Sequence, residues 1–418
     1  MIKIFKNPEL RRKIIISLII IAVSRLIAHI PVPGVDIAAI RSYLSGNALF
    51  GFFDLFSGGG FQNFSIVTLG LAPYINASIV MQLLTVMIPS LEELSKEGEI
   101  GREKINMYTK FVTVPMTLIQ AYGIYFLLSK QRVIGSLDTF NLIVLILTLS
   151  AGSMLLVWLG DLITEYGIGN GVSLLIFVSI IGRLPVALYG FLATASVENF
   201  MNIIIFAGLA LAVITSVVLV NEGTRNIPIE YGRTGVKSQK VTNFLPIKIN
   251  QAGVIPIIFA VSVVMLPSLL GGPLQASSNS LLHNLGRFFT QNFHSNSLGY
   301  NVFYFFLVVA FTYFYTSVQF SPDKIADDVK KRGGFVPGVR PGSATAAYLK
   351  KIVNRITLAG ALFLGTIAIL PYLVQSFVNV SSLTIGGTGL LIVVSVVLET
   401  IRQVESLTVN QSYEKFLR

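Results

Sequence analysis

Ten runs of apolar residues recur along the chain, at 13–30, 66–88, 109–128, 140–160, 172–190, 201–220, 251–270, 300–319, 354–374 and 383–400, with polar segments between them. Crossing a hydrocarbon layer takes about 20 apolar residues in a helix, so these runs predict ten membrane spans. A further run, Leu49 to Phe56, is too short to cross and ends at Gly58, Gly59 and Gly60, which predicts a helix that only dips into the membrane. The run from Ile66 to Ile88 carries Gly70, Pro73, Asn76 and Gln82, residues that a lipid-facing helix does not need. Irregular backbone and polar groups survive at membrane depth only where protein or water surrounds them, so this stretch is expected to line a central cavity. The first run follows Arg11, Arg12 and Lys13 without a small-residue cleavage site and holds Arg25, with His29 near its end; it reads as a retained helix, not a signal peptide.

Two spacings repeat. Gly70-Leu-Ala-Pro73-Tyr-Ile75 in the second run matches Gly253-Val-Ile-Pro256-Ile-Ile258 in the seventh, and Ile168-Gly-Asn-Gly171 before Ile176 is echoed by Ile385-Gly-Gly-Thr-Gly389 before Ile392. Members of each pair lie five runs apart. Because five is odd, the second half enters the membrane in the opposite sense, which predicts two inverted halves with interrupted helices.

Composition sharpens the class. The chain has 418 residues, 53% hydrophobic and 12% charged, with a mean hydropathy of +0.74. Of its 31 lysines and arginines, 25 fall on one side of the predicted membrane if the N-terminus is cytoplasmic. The positive-inside rule then places both termini in the cytoplasm, and the net charge of +11 reads as an orientation signal without any nucleic acid. There is no cysteine, and the three histidines are scattered, so disulfides and thiolate metal sites are excluded. No nucleotide-binding or hydrolase motif appears, and GIGNG at 167–171 follows an apolar run instead of a strand, so it reads as a tight turn. The expectation is a non-enzymatic protein without cofactor or metal.

Two long basic segments stand out on the cytoplasmic side. Residues 221–250 alternate apolar and polar positions around Gly232 to Gly235, predicting a β-hairpin with Arg233, Lys237 and Lys240. Residues 321–353 hold Lys330, Lys331 and Arg332, then Pro337-Gly-Val-Arg340-Pro-Gly, where prolines and glycines fix Arg340 at a rigid tip. Together they read as a docking platform for a large partner, with solvated connectors, and for Arg340 an ion pair to Asp327 or Asp328, as the plainer alternatives.

Seven stretches in order carry a resemblance: IPVPGVD at 30–36, LFSGGG at 55–60, LGLAPYINASIVMQLL at 69–84, EELSKEGEIGREK at 92–104, ITEYGIGNGVSLLIF at 163–177, INQAGVIPIIFA at 249–260 and PGVRPG at 337–342. Over essentially its whole length the chain resembles the SecY family of protein-conducting channel subunits. The resemblance implies an all-α polytopic membrane fold of ten helices in two inverted five-helix halves, 1–190 and 191–418. It implies a re-entrant plug at 47–64, including Leu49, Phe50, Phe53, Leu55, Phe56, Gly58, Gly59 and Gly60. It implies a pore ring of Leu71, Ile75, Val172, Ile176, Ile258 and Ile392, and a lateral gate with Gln82 and Asn250 as its polar positions. Implied partners are the small SecE and SecG subunits, the motor ATPase SecA, translating ribosomes, unfolded signal-bearing polypeptides and the lipid bilayer, with Arg340 as the contact for SecA. The membrane implied is the bacterial plasma membrane, with a plastid membrane as the other choice. Leu71 and Val172 stand where the family often has isoleucine, and the loop at 232–240 carries less arginine than is common. The residues alone left open a secondary transporter with inverted repeats, which calls for paired ionisable groups at the midplane, or an intramembrane enzyme.

Overall fold

The structure, a computed structural model, describes residues 8–40 except 34 and 36, 57–130, 133–193 except 136, 200–231, 242–293 except 276, 297–377 and 387–417. Each of the ten apolar runs overlaps a helix: α1 (Pro8–Ile27), α2 (Ala72–Met87), α4 (Glu99–Lys130), α5 (Thr139–Tyr166), α6 (Gly171–Ala193), α7 (Phe200–Glu222), α8 (Ile255–Gln275), α10 (Leu298–Gln319), α12 (Ser343–Phe377) and α13 (Gly387–Leu417). Three shorter helices, α3 (Pro89–Lys96), α9 (Ser280–Asn292) and α11 (Pro322–Lys331), complete the set among the described residues that is used below. Four of the helices, α4, α5, α10 and α12, are apolar over a full membrane-crossing length among the described residues. Helices α2 and α3 make a fifth candidate span bent by 101° at Ile88, where Pro89 opens α3.

The chain divides into two compact units: Met1–Phe200 with Val380–Ile385 and Ile392–Arg418, and Met201–Asn379 with Gly386–Leu391. In the first unit α5 is the pillar, packed against α1, α4 and α6. A buried cluster joins the ends of α4 and α5, through Ala121, Leu128, Leu145 and Leu149, to Phe61, Phe64 and Leu69 of the irregular segment before α2. That segment also pairs with the proline-flanked stretch after α1: Pro31 bridges Ser65, Val32 N–H donates to Phe64 O at 2.9 Å and Ile66 N–H to Ile30 O at 3.1 Å. Prolines keep this stretch extended, so its remaining backbone groups are free to pair across the gap.

In the second unit α10 packs against α8 and α12. The expected hairpin is present as β1 (Thr224–Tyr231) antiparallel to β2 (Thr242–Lys248), with Thr224 opposite Lys248. A two-residue strand, β3 (Gly334–Phe335), pairs with the other edge of β1, giving the order β2-β1-β3. Ile227, Ile229 and Ile247 are buried, and Ile227 and Ile247 cluster with Val336, Leu349 and Val353, so the sheet rests on the start of α12. Part of the segment expected as loop is therefore helix. Pro322 opens α11, Asp323 sits in its first turn and Lys330 and Lys331 in its last, the charge order that the helix dipole favours.

Candidate functional site

The repeated glycine and proline spacing builds the same backbone device twice. Gly70 and Gly253 are both left-handed, at φ 58° and 64°. In each case the helix begins two residues later, at Ala72 or Ile255, with a buried proline, Pro73 or Pro256, in its first turn. Left-handed backbone reverses the chain at little cost only at glycine, and proline suits a first turn whose N–H groups have no helical acceptor. Ile75 and Ile258 are thus each the fourth residue of an abruptly started helix; Ile75 is buried and Ile258 half-buried.

Helix α5 fixes two pairs of the expected ring residues. The Ser153 hydroxyl donates to Gly70 O at 2.8 Å, and a Cβ on Gly152 would lie 1.8 Å from Ile66 O, so α5 runs hard against the segment that leads into Leu71 and Ile75. Two turns further on, Gly160 faces the start of α6: a Cβ on Gly171 would lie 1.9 Å from Gly160 O, and one on Gly160 3.2 Å from Val172 Cγ2. Thr164 Oγ1 accepts from Gly171 N–H at 2.9 Å, Asn170 Oδ1 caps Ser173 N–H at 3.1 Å, and Ser17 Oγ of α1 accepts from Ile168 N–H at 3.0 Å. Leu71, Ile75 and Ile176 are buried and Val172 is half-buried in this unit. Ile392, near the start of α13, is also buried.

Arg25, in the last turn of α1, reaches two other elements. Its Nη1 donates to Gly58 O at 2.9 Å and its Nη2 to Ser179 Oγ of α6 at 3.0 Å. A hydrogen bond from a charged donor contributes about 1.5–3 kcal/mol, so the two bonds help to hold this charge at the end of an apolar helix. The sequence marked Arg25 as the charge within an apolar run, but not its partners, which lie 33 and 154 residues away. Of the expected plug residues, Gly58, Gly59 and Gly60 are buried, the first two left-handed at φ 63° and 92°, while Leu49, Phe50, Phe53, Leu55 and Phe56 lie outside the described residues.

The expected gate residues share a trait. Gln82 donates from Nε2 to Ser78 Oγ at 3.4 Å, and Asn250 from Nδ2 to Asn221 Oδ1 at 2.8 Å and Gly253 O at 3.2 Å, yet in both the amide oxygen is buried without a hydrogen-bond partner among the described residues. Such oxygens are acceptors awaiting a donor. Nearer the other end of α2, Tyr74 donates to Asn106 Oδ1 at 3.1 Å, and Lys110 pairs with Asp161 at 2.7 Å. Sequence reasoning did not foresee these pairs.

Arg340 is exposed on a turn between two left-handed glycines, Gly338 at φ 78° and Gly342 at φ 100°, and Thr345 Oγ1 donates to its carbonyl at 2.9 Å. It makes no ion pair to Asp327 or Asp328. Lys330, Lys331 and Arg332 are exposed at the end of α11, and Arg233, Lys237 and Lys240 lie outside the described residues.

A family model for SecY matches residues 65–401. Protein translocase subunit SecY of Corynebacterium glutamicum is 40% identical over the whole of this chain and 99% of its own length. The subunits of the same name from Thermus thermophilus and Aquifex aeolicus are 41% and 40% identical, covering 98% and 99% of this chain and 95% and 98% of their own. Among solved structures, one described as a protein conducting channel matches with a TM-score of 0.63 at 18% identity, over 96% of this chain and 93% of its own. The channel of a canine ribosome-channel complex from the endoplasmic reticulum matches with a TM-score of 0.62 at 18% identity, over 96% and 93%. The fold is that of these helical membrane channels, and the chain belongs to the SecY family.

Proposed function

We propose that the chain conducts unfolded polypeptides through a seal of apolar side chains and releases membrane segments sideways into lipid. The observation that carries this reading is the matched pair of helix openings, each a left-handed glycine and a buried proline that deliver an isoleucine in the first turn. Leu71, Ile75, Val172, Ile176, Ile258 and Ile392 form the seal. Apolar side chains close a pore by packing and dewetting, and they offer a passing chain of arbitrary sequence no hydrogen bond that would trap it. Substrate selection then falls to partitioning. At the membrane centre leucine gains about 0.3–0.6 kcal/mol and arginine loses about 2.5–3.5, so an opened side lets apolar segments leave and polar ones pass.

Gln82 and Asn250 belong to that side opening. Their unpaired buried amide oxygens support the assignment, since a gate that opens needs polar contacts that exchange partners at low cost. The residues from Asn47 to Phe64 act as the plug, and the small SecE and SecG subunits brace the chain in a bacterial plasma membrane with both termini cytoplasmic. The transporter alternative has no support here: among the described residues Arg25 binds neutral groups at Gly58 and Ser179, not a carboxylate that would mark a solute site.

No site for splitting ATP is evident in the sequence, so work comes from partners, a motor ATPase or the ribosome, docked on the β1–β2 hairpin and the Arg340 turn. The forked guanidinium suits carboxylates or carbonyls on such a partner. The test is ATP-driven translocation of a signal-bearing substrate into vesicles holding the purified chain, its small subunits and SecA. Arg340→Glu is expected to reduce translocation about tenfold or more with the chain fully inserted, and Arg340→Lys to fall between, because it keeps the charge and loses the fork. Normal translocation by the Glu variant would refute the docking role. A wild-type complex that moves no polypeptide would refute the function.

A further inference from the structure

Arg25 is a charge within an apolar run, and its partners among the described residues, on two other elements, are neutral. Its two end nitrogens bridge the carbonyl of Gly58, in the glycine turn, to the hydroxyl of Ser179 on α6. Ser179 is oriented for this, because its own proton goes to Leu175 O at 2.8 Å and leaves its lone pairs to the guanidinium. The guanidinium lies directly against both neighbouring glycines: a Cβ on Gly58 would lie 2.4 Å from Nη2, and one on Gly182 2.9 Å from Nη1, so a side chain at either would displace it. The remaining donor, Nε, is buried without an acceptor among the described residues. Ser179 stands three residues after Ile176, on the same face of α6, so the strut that receives Arg25 also carries a ring residue.

We propose that Arg25 is a latch, a positioning residue that ties the glycine turn to α6 and by holding or losing that tie sets the balance between the closed and open channel. The inference rests on the channel reading above for its consequence, though not for its geometry. Bonds to a backbone carbonyl and a hydroxyl fix direction while remaining individually breakable, unlike a buried ion pair, whose separation strands two charges. Among the described residues Nε has no acceptor, so the tie rests on the two end nitrogens, and losing either bond weakens it.

The chain has no cysteine, so Ser57→Cys gives a single thiol at a site that is 6% exposed, next to the latched carbonyl. In the full chain with its small subunits in vesicles, a membrane-impermeant thiol reagent is expected to react about tenfold faster when Arg25→Gln is added, and about threefold faster with Ser179→Ala, which removes one of the two bonds. Arg25→Lys is expected between wild type and Arg25→Gln, since an ammonium lacks the fork that spans both partners. In the same vesicles, ion conductance and import of a substrate with a defective signal should rise in that order. Unchanged labelling in both Arg25→Gln and Ser179→Ala overturns the latch, whatever transport does. Faster labelling with neither conductance nor import raised overturns its gating role. Should Arg25→Gln fail to accumulate, Ser179→Ala alone decides by the same two readouts. A wild-type complex that cannot import an intact substrate strikes the channel reading instead, and labelling still judges the tie.

Discussion

The opening of α2 and the opening of α8 use the same glycine and proline, but their surroundings differ. The segment leading into α2 is held from several directions: by Ser153 on the Gly70 carbonyl, by the backbone of Ile66 lying on Gly152, and by the Thr68 hydroxyl donating to Ser65 O at 2.5 Å. Phe64, fully buried, is even forced left-handed at φ 41°, a conformation that costs a non-glycine residue about 1–2 kcal/mol. The segment leading into α8 is anchored further back: Ile249 N–H donates to Gly223 O at 2.8 Å and a Cβ on Gly360 would lie 2.9 Å from Ile249 O, whereas Gly253 itself has open space among the described residues where a Cβ would stand, and its carbonyl accepts from Asn250 Nδ2 at 3.2 Å. A shared backbone device is therefore clamped at its glycine before α2 and only behind its glycine before α8. In a channel that opens, local stability is expected to be lowest where the constraints are fewest.

Substitutions measure that contrast directly, read as thermal unfolding of the purified complex in detergent. The largest effect is expected at Gly152. Gly152→Val places branched carbons where the Ile66 backbone lies, at a cost of about 3 kcal/mol, and the variant should accumulate poorly. Asn250→Ala removes the bonds to Asn221 and Gly253 and should cost about 2 kcal/mol. Gly253→Ala meets no neighbour within 4 Å, so only backbone strain remains, about 1 kcal/mol. Gly253→Ala as damaging as Gly152→Val would erase the distinction between the two openings.

Much of this architecture was legible because hydrocarbon imposes a blunt rule: each of the ten apolar runs holds a helix. What hydropathy misses is helix that continues into water. The run at 354–374 lies inside α12, which starts at Ser343, and α13, which holds the run from 387 to 400, continues to Leu417. Helix α11 was hidden for the same reason, since PDKIADDVKK buries little beyond Ala326 and shows no apolar run. The glycine and proline spacing was readable because it acts locally, on the dihedrals of neighbouring residues. The bonds of Arg25 to Gly58 and Ser179, and of Ser153 to Gly70, were not, because contacts between residues so far apart leave no periodic trace.

The central claim is that the isoleucines delivered by these two openings seal one pore, and ion conductance across vesicles holding the purified complex tests it most directly. Ile75→Asn and Ile258→Asn, each alone, should hydrate the seal and raise the resting conductance several-fold, about the effect of losing one apolar contact from a dewetted constriction. If either variant is folded, normally abundant and as tight to ions as wild type, that isoleucine packs a core and does not close a channel.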